Sequence, residues 1–140
     1  MSNYNNKSIQ QAYNTATQAV TATATPILLL GTQTINSGCS IGTVANGFIF
    51  KKSGKYLVDF DVTFTPSAAG TEVMQLYLNG LALPYAVASD TTVADATYTR
   101  HITAVIPAAA CCALHPALTL VLSGVAGSVT YVKGYAVKEC

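Results

Sequence analysis

Three small groupings in this chain have residue types that can do chemistry. Asp59 and Asp61 stand two apart, so in an extended segment both carboxylates lie on one face, where such a pair can share a proton or hold a cation. Cys112-x-x-His115 has the spacing of half a zinc site, but no second ligand pair stands near it. Lys51, Lys52 and Lys55 flank a glycine turn and form the one basic cluster. His101 and His115 are isolated, and His101 alternates with threonines as a surface or interface residue would. Hydrolysis needs a nucleophile, a base and a donor pocket in mutual reach. The sequence has no His-Glu-x-x-His and no phosphate-cradling glycine loop. The expectation is therefore no enzyme, no cofactor and no bound metal. Asp59 and Asp61 read as solvent-facing strand positions that discourage edge pairing, and the lysines as a solvated hairpin tip.

The element that must carry the two aspartates is the clearest in the chain. Tyr56, Val58, Phe60, Val62 and Phe64 fall on every second residue, with Asp59, Asp61 and Thr63 between them. Side chains alternate faces along a strand, so this spacing buries one aromatic row and wets the other. A helix would scatter the same residues around its axis and bring charges into the core. Met74, Leu76 and Leu78 repeat the pattern from Thr71 to Leu78, and Asn79-Gly80 is a strong tight-turn dipeptide. These eight apolar residues are the expected core.

Further strands are expected at Ile27 to Leu30, Gln33 to Ile35, Ser40 to Val44, Gly47 to Lys51, Leu83 to Ala88, Ala96 to Ile106, Ala117 to Leu122 and Ser128 to Val137. Ser89 to Asp95 reads as a polar loop, and Pro107 to Pro116 as an irregular crossing rich in alanine and cysteine. Eight to ten antiparallel strands without a helix after residue 25 predict an all-β fold, a two-sheet sandwich or jelly roll that hides both apolar faces.

Residues 1–25 read differently. They are rich in Asn, Gln, Thr and Ala, and Ile9, Tyr13, Ala16 and Val20 are spaced four, three, four, the seam of a narrow helical face. Asn6 or Ser8 would cap its start. Such a helix is too short and too polar to stand alone, so the segment is expected as an extended or short helical arm that orders only against symmetry mates or a docking surface. A disordered tail is the competing reading. Thr21 to Thr25 would then be a linker, giving an arm over 1–25 and a head over 26–140.

Half of the 140 residues are apolar and only 9% are charged, against about 25% in ordinary soluble domains. Charged surface resists association, so a chain this poor in charge is expected to cover much of its exterior with copies of itself. A net charge of +1 without a basic stripe argues against a nucleic-acid partner. The apolar run Ile27 to Leu30 is far short of a membrane span, and no run in the chain approaches one. The first residues lack the basic start, apolar centre and cleavage site of a secretory signal, so synthesis in a cytoplasm without general secretory export is expected.

Of Cys39, Cys111, Cys112 and Cys140, the adjacent pair is poorly placed to bridge itself, because the ring strains the intervening peptide. Two readings stay open for the others. Cys39 can bridge Cys111 or Cys112 after release into an oxidising medium, or the thiols can stay reduced as small buried hydrophobes.

The run Phe50, Ser53, Gly54, Tyr56, Val58, Phe60, Val62 resembles the signature strand of the tumour-necrosis-factor and complement globular-head jelly rolls. Leu76-Tyr77-Leu78-Asn79-Gly80 resembles the following strand and turn of that family, and Gly134-Tyr135-Ala136-Val137 its closing strand. Gly38-Cys39-Ser40-Ile41, paired with the later Cys111-Cys112, is similar to small jelly-roll proteins encoded by gut bacteria of the Firmicutes type and by their phages. The resemblance spans roughly residues 26–140. Two departures stand out: no collagen-like repeat precedes the domain, and Cys-Cys-Ala-Leu-His-Pro replaces the usual acidic glycine-aspartate turn before the penultimate strand, so family-style calcium or ligand sites are not carried over.

The resemblance implies a homotrimer packed about a threefold axis through an apolar, often tyrosine-rich inner sheet. Eight tyrosines beside four phenylalanines agree with that. With the polar arm, it leads to the expectation of a structural virion protein: a head fibre or capsid-decoration knob of a bacteriophage, made in the host cytoplasm and joined to capsid or tail through its N-terminal arm. The competing expectation is a receptor- or glycan-binding module using Ser89 to Asp95 and Pro66 to Thr71, with Tyr85 and Tyr98 nearby.

Overall fold

The computed structural model describes residues 8–27, 31–110 and 115–138. They form strands and turns, with no helix among them. In chain order the strands are β1 (Ile9–Asn14), β2 (Gln18–Val20), β3 (Thr25–Pro26), β4 (Thr32–Ser37), β5 (Ile41–Val44), β6 (Gly47–Phe50), β7 (Gly54–Pro66), β8 (Gly70–Leu78), β9 (Leu81–Thr92), β10 (Tyr98–Ala108), β11 (Ala117–Ser123) and β12 (Gly127–Lys138). One sheet runs β10-β7-β12-β1-β4, with β2 also on β12. The other runs β5-β6-β11-β8-β9, with β3 also on β11. Neighbours within each sheet are antiparallel, and the two sheets close on one apolar core.

β7 does what its alternation requires. Tyr56, Val58, Phe60, Val62 and Phe64 are buried, while Leu57, Asp59, Asp61, Thr63 and Thr65 between them are only half-buried. From the opposite sheet come Met74 and Leu76 of β8, both buried, with Leu78 partly buried against the cluster. Phe48 of β6 tilts against Phe60 at 5.9 Å between centroids, and Phe50 stacks on Tyr56 at 4.0 Å, so two aromatic contacts tie the sheets together. Aromatic pairs add to area burial when they tilt or stack with an offset. The Tyr56 hydroxyl donates to the Lys52 carbonyl, which gives this buried phenol its polar partner.

Two local features set the close approaches. Asn79 and Gly80 both take positive φ, the geometry of the tight turn between β8 and β9. Gly47 begins β6 where a Cβ would lie 1.9 Å from the Leu118 carbonyl oxygen, so only glycine lets β6 reach β11 there.

The segment expected as a helical arm folds otherwise. Ile9 and Tyr13 lie on a strand, β1, set between β12 and β4; Ala16 is an exposed residue after it; and Val20, on β2, is in the core. The helical reading fails for a simple reason: a strand also puts residues four apart on one face, so the Ile9–Tyr13 spacing fits either element. The inward row of β1 is Gln10, Ala12 and Asn14, which hid the usual apolar alternation. Tertiary contacts satisfy most of these polar groups. Gln10 Nε2 donates to Asn36 Oδ1 at 2.7 Å and to the Ile41 carbonyl at 3.3 Å, and the buried Ser8 hydroxyl accepts from the Ser40 amide at 2.9 Å. Ile27 is also buried in the core, so residues 8–27 contribute to both sheets.

A second correction concerns β9. It runs through Thr92, so Ser89 to Thr92 are strand rather than loop, held by Val73↔Ser89 and Gly70↔Thr92 pairing.

Candidate functional site

The face of the β10-β7-β12-β1-β4 sheet that points away from the core is built from rows that cross all five strands. One row is Val105, Leu57, Val137, Ile9 and Ser37. The next is Thr103, Asp59, Tyr135, Gln11 and Ile35, followed by His101, Asp61, Lys133, Tyr13 and Thr32. Thr99, Thr63 and Tyr131 continue it. The strand period of two places these side chains on the same side, apart from Thr32, which follows a register shift in the β1–β4 pairing. The result is an open surface that mixes aliphatic and tyrosine side chains with polar ones, with Val105 50% and Ile35 41% exposed.

Several of its polar groups are paired within the chain. Lys133 Nζ lies 3.2 Å from Asp61 Oδ2, and the Thr103 hydroxyl donates to Asp59 Oδ1 at 2.9 Å. Hydrogen bonding to Asp61, and secondly its charge, raises the Lys133 pKa and keeps the ammonium protonated. Gln11 Nε2 donates to Thr34 Oγ1 at 2.7 Å, and the Thr63–Thr99 and Thr65–Thr97 hydroxyls pair across β7 and β10 at 3.3 and 3.0 Å. Paired polar groups lose less than unpaired ones when such a surface is covered.

A second exposed apolar surface lies along β9, the edge of the other sheet. Leu81 is 73% and Tyr85 53% exposed, with Val87 on the same strand and Val93 just beyond it also exposed. Where this edge approaches β10, an ion cluster pins the two sheets. Arg100 of β10 turns inward and pairs with Glu72 of β8, which is only 2% exposed, and its Nε lies 3.8 Å from Asp90 of β9. Burial raises the Glu72 carboxyl above its ordinary pKa; the Arg100 charge and hydrogen bond pull the other way, and the Asp90 charge adds a smaller upward push. Arg100 also lies 5.5 Å from the centre of the Tyr98 ring, whose hydroxyl accepts from the Val93 amide at 2.9 Å. Arg100 shares the inward face of β10 with Ile102 and Ile106, and no local pattern names its partner. Glu72 at an inward position of an alternating strand was the available signal.

The remaining candidates do not assemble into one centre. His101 stands across from Asp61 on the open face, whereas His115 lies at the β10–β11 end. Cys39 is exposed, with Lys52 Nζ 3.7 Å from its sulfur; Cys111, Cys112 and Cys140 lie outside the described residues. Among the described residues, no three His, Cys, Asp or Glu side chains are grouped to hold a metal ion.

No family model matches the sequence, and no curated protein matches it. Solved structures do match its shape. The tumour necrosis factor Eiger from S. frugiperda superposes with a TM-score of 0.67 at 12% identity, covering 96% of this chain and 92% of that one. The PRD1 vertex protein P5 gives 0.63 at 14%, covering 93% and 71%. The globular domain of zebrafish complement 1qA gives 0.59 at 10%, covering 91% and 94%. The chain shares the jelly-roll fold of these proteins. In this jelly roll the signature residues Phe50, Tyr56, Val58, Phe60 and Val62 are those of the β6–β7 aromatic contacts and the buried row of β7.

Proposed function

We propose that the protein is a structural component of a bacteriophage virion, a homotrimeric jelly-roll knob carried on capsid or tail by its N-terminal segment. The observation that carries the trimer is the open sheet face, where five aliphatic and three tyrosine side chains lie among polar groups that are in part paired within the chain. A threefold ring needs a heterologous contact, in which one patch meets a different patch on the next copy. The exposed apolar edge at Leu81, Tyr85, Val87 and Val93 is the natural second patch. The sparse charge of the chain and its likeness in fold to the vertex protein of phage PRD1 support the virion setting.

Sedimentation of the purified chain tests the trimer, with Tyr135→Asp expected to shift it toward monomer without unfolding. A predominantly monomeric wild type would refute this reading. For attachment, removing residues 2–7 leaves β1 whole. That truncated head should remain soluble and trimeric yet fail to join particles; normal incorporation would exclude the N-terminal anchor.

A second reading, a receptor- or glycan-binding module, has its own observation. The two segments named for it, each part strand and part loop, meet at one end of the sandwich, with the Asp95 amide donating to the Pro66 carbonyl at 2.8 Å and the Thr92 hydroxyl to the Gly70 carbonyl at 3.2 Å. A glycan array without hits would remove it.

A further inference from the structure

The fold sorts the few charges of this chain toward opposite ends. Glu72, Asp90 and Asp95 lie toward the end formed by the β7–β8, β9–β10 and β11–β12 connections. Lys51, Lys52 and Lys55 sit at the β6–β7 turn at the other end, and Lys138 joins them because β12 pairs with β7 at Lys138↔Tyr56. Arg100 and Lys133 each have a carboxylate partner, whereas these four lysines have none among the described residues. Glu139 follows Lys138 outside the described residues. The nearest acid along β7, Asp59, is four residues beyond Lys55, about 13 Å at strand rise. That exceeds a screening length of about 8 Å in physiological salt, so Asp59 does little to offset the charge of Lys51, Lys52 and Lys55. Ser8 lies at this same end: its carbonyl accepts from the Lys138 amide at 3.1 Å.

We infer that this lysine pole is the docking footprint of the head, and that it seats on a patch of acidic side chains on the protein that carries it. The inference rests on the proposed N-terminal attachment, since a tether leaving beside Ser8 brings this pole against the carrier. Threefold symmetry then presents four lysines from each of three copies on one end, so weak contacts add through high effective concentration. A compact acidic patch fits better than a nucleic acid. A polyanion long enough to lie along the head would meet Glu72, Asp90 and Asp95 at the far end, and none of the four cations is an arginine, the side chain best shaped for bidentate phosphate contacts.

The test is binding of the full-length protein to labelled poly-L-glutamate at physiological salt, read by fluorescence anisotropy. Wild type should bind, and binding should weaken as salt rises. The exposed triple variant K51E/K52E/K55E should lose at least about tenfold in affinity, and K51Q/K52Q/K55Q should lose it too, while D90K/D95K at the opposite end should not. No wild-type binding, or equal binding by the lysine variants, would overturn the inference. So would tighter binding to a DNA duplex or to phosphatidylserine vesicles, which would make the partner a nucleic acid or a membrane. Sedimentation of the same samples separates the two readings: an intact trimer that ignores poly-L-glutamate refutes the docking pole alone, whereas a monomer refutes the trimeric knob.

Discussion

β1 and β7 flank the same neighbour, β12, yet they solve burial in opposite ways. β7 turns five large apolar side chains inward and leaves its aspartates and threonines on the open face. β1 turns Gln10, Ala12 and Asn14 inward and puts Ile9 and Tyr13 on the open face. The first strand is held by transfer of hydrocarbon from water, which needs no particular partner. The second depends on hydrogen bonds to β4 and β5, which exist only when those strands are in place. An interior strand therefore need not look apolar, provided that its neighbours supply donors and acceptors.

Truncations set the scale of that difference. Phe60→Ala should destabilise the head by about 3–5 kcal/mol, because it removes a buried ring and leaves a cavity against Phe48. Chemical denaturation would read it; a loss below about 1 kcal/mol would mean that β7 is not the centre of the core. Arg100→Ala probes an inward charge rather than an inward ring. It should cost about 3–5 kcal/mol by leaving Glu72 buried and unpaired, whereas the joint change Arg100→Met and Glu72→Leu should be nearly neutral. Equal losses in the single and double variants would show that the pair is not the source of the effect.

Gln10→Ala should cost less, about 1–3 kcal/mol, through the lost bonds to Asn36 and Ile41. Gln10→Met should recover part of this, since Gln10 Oε1 is buried without a hydrogen-bond partner among the described residues. If Met is worse than Ala, the polar account of β1 is wrong.

The pH dependence of Glu72 is a smaller effect with a defined sign. Burial raises its carboxyl above the ordinary 4.5, so the folded state holds this proton more tightly than the unfolded chain does. Its contribution to stability is fully present below pH 4.5 and falls as pH rises through the raised value. Denaturation of Glu72→Gln across that range should lack this decline. On the open face, Thr63→Ala should change stability by no more than about 0.5 kcal/mol.

The β-sandwich and the inward row of β7 were legible because alternation with a period of two is a local property of the chain, and burial of every second residue follows from pleat geometry alone. The same holds for Met74, Leu76 and the Asn79-Gly80 turn. The strand at Ile9–Asn14 was not legible, because polar side chains face the core there and only the distant Asn36 and Ile41 make that tolerable. The same limit hid the pairing of Arg100 with Glu72, the placement of Lys138 beside Lys55 and the open face shared by Ile9, Tyr13, Tyr135 and Val105. Each depends on which strands lie side by side and in what register. Local residue types determined which faces of β7 and β8 turn inward; long-range pairing decided the inward face of β1 and which residues became neighbours, because contact between distant segments is a property of the closed sheets and not of any stretch of chain.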